Sequence, residues 1–151
     1  MADYNTGIPM PGFRSVRIEK AEKTKSKSGN DMLKIRLAVS KGGGVAYKKH
    51  VYHYIVEGTK FYGHALKDFY DAFGIPGDND NPYLWRGAVG VAKIEREPYN
   101  GQLTAKVKKL VPRDKANDRL AEQKLADEAQ KIAAEQGVVL YGQDVLNSVP
   151  F

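Results

Sequence analysis

Apolar and polar residues alternate in short runs through the first 110 positions, and the period then changes in two places. From Phe13 to Lys23, Val16 and Ile18 fall on one side and Arg17 and Glu19 on the other, which predicts a strand. The polar run Thr24 to Asp31 contains Gly29-Asn30, residues that tolerate the backbone of a tight turn. Alternation resumes at Leu33, Ile35, Leu37 and Val39, with Lys34 and Arg36 between them, and gives the clearest strand in the chain. After Gly42-Gly43-Gly44, the segment Val45 to Glu57 reads as a third strand rich in Tyr and Val.

From Thr59, a candidate N-cap, Phe61, Ala65, Leu66, Phe69, Tyr70 and Phe73 recur at helical spacing until Gly74 and Pro76 stop the run. Ala88 to Glu97 and Gln102 to Val111 read as two more strands, joined at Asn100-Gly101, a strong hairpin signal. A helix capped by Asn117 or Asp118 then runs to about Gln136, with a narrow apolar stripe of Leu120, Leu125, Ala129 and Ile132. That stripe suits packing along one seam or self-association as a homo-oligomer. Residues 1–12, with Gly7, Pro9, Pro11 and Gly12, are an extended lead-in, and 137–151 show no period. Three strands, a helix and two strands is the element order of a five-stranded OB-type barrel, so the expected fold is mainly β. The expected organisation is a domain over 1–113, a C-terminal helix over 114–136 and a tail over 137–151. The runner-up is another small α+β sheet crossed by one helix.

Charge changes this picture by pointing to a partner. The chain carries +6 overall, and residues 1–115 hold 21 Lys and Arg against 12 Asp and Glu, whereas 116–151 hold 3 against 6. A basic body with a mildly acidic end suits a protein that holds a polyanion. Without cysteine, disulfides, zinc–thiolate sites and thiol nucleophiles are excluded. No apolar run reaches membrane-spanning length and the first residues do not read as a signal peptide, so no membrane is expected and the compartment defaults to the cytoplasm.

Catalysis finds little support. His50 and His53 form an H-x-x-H pair, but on a strand that spacing sends the two rings to opposite faces, and no third metal ligand is evident. Asp78 and Asp80 lack the glutamate that completes a calcium loop, and there is no phosphate-cradling loop or nucleophile elbow. The expectation is therefore no enzyme, no metal and no cofactor.

Binding a single nucleic-acid strand needs cations along the backbone path and flat rings on which bases stack. The run Tyr47-Lys48-Lys49-His50-Val51-Tyr52-His53-Tyr54 supplies both. With Val51 and Ile55 inward, Lys48, His50, Tyr52 and Tyr54 face outward, beside Lys34 and Arg36 of the second strand. The opposite phase, with Tyr52, Tyr54 and Val56 inward, remains open at this point. Lys106 and Lys108 project from the fifth strand if Ala105 and Val107 are buried. Lys25 and Lys27 sit at the rim, and Trp85-Arg86 offers a further stacking ring, although a Trp at the start of a strand more often belongs to the core.

Three segments carry a resemblance: Glu22 to Leu33 across the first turn, Trp85-Arg86-Gly87, and Glu97-Pro98-Tyr99-Asn100-Gly101 leading to Val107-Lys108-Lys109-Leu110-Val111-Pro112. In order and spacing, over roughly residues 13 to 113, they resemble a family of phage and prophage OB-fold proteins that bind single-stranded DNA and were long catalogued as a domain of unknown function. The resemblance implies sequence-tolerant binding of single-stranded DNA in phage replication or recombination. The final Val149-Pro150-Phe151 is similar to the Pro-Phe ending by which bacterial single-stranded DNA-binding proteins dock replication and repair partners, but here only Asp144 supplies acid nearby. Docking of host or phage replication proteins is the corresponding expectation. An RNA-binding OB module, or a protein whose basic face meets an acidic partner, would show the same pattern.

Overall fold

The central element is β1, Gly12–Lys25, which hydrogen-bonds to a neighbour on each side and joins the two halves of the sheet. The computed structural model describes residues 8–40, 47–60 and 62–136, and only the backbone of Tyr47 and Lys48. β1 pairs antiparallel with β2, Asp31–Ser40, which pairs with β3, Tyr47–Val56. On its other side the first half of β1 pairs with β4, Val89–Tyr99, which pairs with β5, Gln102–Leu110. The result is a five-stranded antiparallel sheet in the order β3-β2-β1-β4-β5. The edge strands β3 and β5 approach within 8 Å, Cα to Cα, but no ladder joins them among the described residues, so the sheet is open.

A register shift between Ile18 and Lys20 places Glu19 as an extra residue in β1. Arg14, Val16 and Ile18 face inward before the shift and Ala21 after it, so a strand 14 residues long bends without exposing its apolar set. The core gathers Val16, Ile18, Leu33, Ile35, Leu37, Val39, Val51, Ile55 and Ile94 from the sheet. It is closed by Phe69, Ala72 and Phe73 of α1, Tyr62–Phe73, and by Ile75 and Trp85.

The strand boundaries lie close to those expected, and the helix starts differ. The hydroxyl of Thr59 donates to the Val56 carbonyl at 2.9 Å, while its own carbonyl accepts from Tyr62 N–H, so Thr59 closes a turn ahead of α1 and its side chain is not the cap. The end of α1 follows expectation. Gly74 (φ +64) lets its N–H bond to Asp71 O and that of Ile75 to Tyr70 O, the two bonds of a Schellman motif. Asn100 and Gly101 both have positive φ, 49 and 77, as a two-residue type I′ hairpin requires.

The second helix, α2, spans Ala116–Glu135, and neither Asn117 nor Asp118 caps it, because a 3-10 turn over Arg113–Lys115 leads straight in. Its apolar stripe stays open, with Leu125 and Ile132 exposed, and only Ala133 of this helix is buried. α2 is fastened instead by polar contacts: Gln123 Oε1 accepts from Phe13 N–H at 2.9 Å, and Asp127 takes two hydrogen bonds from Arg14. No helix among the described residues is long and apolar enough to cross a membrane.

Candidate nucleic-acid interface

The phase of β3 decides the interface. Val51 and Ile55 are buried, whereas Tyr52 and Tyr54 stand 44% and 48% exposed on the outer face. Their rings run nearly parallel, 25° apart with centroids separated by 6.3 Å. The register sets Lys34 opposite Tyr54 and Arg36 opposite Tyr52, so rings and cations interleave as a consequence of strand pairing. Lys34 Nζ lies 4.9 Å from the Tyr52 centroid, and the cation–π contact holds it beside the ring while leaving its charge available.

His50 continues this row. Arg36 Nη2 donates to Nδ1 of His50 at 3.3 Å, and since a guanidinium only donates, Nδ1 is unprotonated and the ring proton sits on Nε2. Burial, and then the nearby Arg36 charge, push the His50 pKa below its usual 6.5, so the ring is neutral at pH 7. His53 points the other way, opposite Ile35 and partly buried, and burial lowers its pKa too. The two histidines therefore lie on opposite faces.

The other expected contacts divide. Lys106 and Lys108 are exposed on β5, but each is neutralised, by Glu97 at 2.9 Å and Glu95 at 3.0 Å. The hydrogen bond from Lys108 lowers the Glu95 pKa, and that to Glu97 raises the Lys106 pKa. Lys25 pairs with Asp31 across the first turn, while Lys27 stands exposed at its tip. The stacking role considered for Trp85 is corrected. Its ring is 2% exposed, packs against Phe69 and Tyr70 at 5.1 and 5.7 Å, and donates Nε1–H to Asn79 O, so no face is left for a base. Arg86 is exposed and close enough to Glu19 to help stabilise its charge. The side chain of Lys48 and the tail residues Val149, Pro150 and Phe151 lie outside the described residues.

One neighbour was not anticipated. The shift in β1 sets Lys20 opposite Arg36, adding a third strand to the basic face, although Glu22 lies 3.7 Å from its ammonium. No alternation pattern reveals this, because the inserted residue changes which positions of β1 meet β2. Among the described residues no three His, Asp or Glu side chains converge as metal ligands. Compared with known proteins, the chain matches no protein-family model and no curated sequence.

Proposed function

We propose that this chain is a sequence-tolerant, non-enzymatic single-stranded DNA-binding protein of phage replication or recombination, built on an OB-type barrel. The observation that carries the reading is the outer face of β2 and β3, where Tyr52 and Tyr54 stand exposed between Lys34, Arg36 and His50. Unpaired bases stack on the rings, and the cations meet the phosphates on either side. The barrel is supported by the strand order, by the approach of β3 to β5, and by α1, which follows β3 in the chain and touches β3, β4 and β5. The phage setting rests on the resemblance of residues 13 to 113.

The deciding experiment is fluorescence anisotropy of a labelled single strand of about 30 nucleotides, titrated at several salt concentrations with duplex and RNA competitors. Binding whose log K falls linearly with log salt, at a slope near −0.7 per phosphate contact, and which duplex does not displace, is the expected result. Displacement by matched RNA would assign the face to RNA, and no binding at low salt would reject the reading. The Val149-Pro150-Phe151 ending is proposed to dock replication proteins. Deleting 148–151 should abolish their pull-down while leaving oligonucleotide affinity intact, and unchanged pull-down would sink that part.

A further inference from the structure

Phe13, Lys93 and Lys109 form one row across three strands, since Phe13 pairs with Lys93 in the β1–β4 ladder and Lys93 with Lys109 in the β4–β5 ladder. Two lysines directly opposite one another repel, and such pairs weaken a sheet. Nearby on β5, Lys106 and Lys108 are relieved by Glu97 and Glu95. Lys93 and Lys109 have no carboxylate partner among the described residues. They lie over the Phe13 ring instead, at 5.4 and 5.8 Å, where Arg119 of α2 also approaches at 5.9 Å while paired to Glu122. The ring attracts the ammonium groups and fixes their place, but carries no charge to cancel theirs. Two uncompensated positive charges are therefore held side by side, waiting for an anion from outside the chain.

We propose that Lys93 and Lys109, seated on Phe13, are a second phosphate-binding station for the same nucleic-acid strand after it leaves the Tyr52–Tyr54 face. This deepens the single-strand reading and rests on it. Phe13, Ser15 and Arg17 share one face of β1, and Arg17 lies opposite Ala38, two residues along β2 from Arg36. The station is thus on the outer face that carries the tyrosines. Lys20, opposite Arg36, is seven residues from Phe13, roughly 23 Å at about 3.3 Å per residue. A strand of several nucleotides spans that distance, and a shorter one contacts the tyrosine face alone.

The test compares wild type with Lys93→Gln/Lys109→Gln on single strands of about 6 and about 20 nucleotides, lengths that bracket the site of one OB fold. The variant should bind the short strand as wild type does. On the long strand it should lose affinity severalfold, and its salt slope should flatten by about 1.4, the share of two phosphates. Equal loss on both lengths, or no loss on the long one, would overturn the second station while the tyrosine face stands. Failure of wild type to bind either length at low salt would overturn the single-strand reading itself.

Discussion

Replacing Tyr52 and Tyr54 together with alanine separates stacking from charge. Both rings are nearly half exposed, so their removal opens no cavity, and the packing lost is limited to their mutual contact and the Lys34 contact. Those surface terms are worth about 0.5–1 kcal/mol each, so the variant should stay folded. Their centroids are 6.3 Å apart, nearly twice the roughly 3.4 Å rise between stacked bases, so neither ring occupies the other's stacking face. At about 1–3 kcal/mol per stacked base, losing both should cost about 2–6 kcal/mol of binding, between tenfold and ten-thousandfold. Phosphate contacts are untouched, so the slope of log K against log salt should not change. Anisotropy titrations at four salt concentrations read both quantities, with a thermal melt as control. A variant that binds like wild type, or whose main change is the slope, would refute the stacking argument.

Three further predictions concern stability. His50 and His53 are both held below the usual 6.5, so below that pH the unfolded chain takes protons that the folded chain resists. Stability should be level above about pH 6.5 and fall on acidification toward about 5.5; in urea titrations His53→Gln should flatten the dependence, and a wild type stabilised by acid would contradict it. Arg14, 4% exposed, grips Asp127, which is 39% exposed. Arg14→Ala should cost about 2–3 kcal/mol, below the range for fully buried pairs, and speed amide exchange in α2; exchange unchanged there would show that α2 is held by other contacts. Gly90→Ala would set a Cβ 2.7 Å from Ala72 O and 3.2 Å from the Phe73 ring, driving α1 off β4. Chemical denaturation should show a loss of about 1–3 kcal/mol, and a neutral result would mean that α1 shifts freely.

The strands were legible because each inward set is apolar and each outward set charged, as in Leu33 to Val39, where one pattern suffices to fix the face. β3 was harder, because Val51 and Tyr52 are both good strand residues. Its phase was settled only by the pairing that buries Val51 and Ile55 against Leu37 and Leu33. Trp85 reads the same in sequence whether it faces water or the core, and the nearby Phe69 and Tyr70 decide it. Lys106 and Lys108 looked available because their acidic partners lie on another strand, at a register fixed by the Asn100-Gly101 turn. The start of α2 was misread because a 3-10 turn satisfies its first residues, leaving Asn117 and Asp118 nothing to cap.

The double pairing of β1 also bears on how the chain reaches this state. Its ladder with β2 closes across a short turn, as does that of β4 with β5, and both hairpins need only local encounters. The β1–β4 ladder joins Arg17 to Val89 and Gly12 to Ile94, separations of 72 and 82 residues. Closing so long a loop costs entropy before any bond rewards it, so this seam sets the pace and the chain belongs among slow, non-local folders, in milliseconds to seconds. Until it closes, β1 presents an unpaired edge in each nascent molecule, the surface through which two copies can pair wrongly at high concentration.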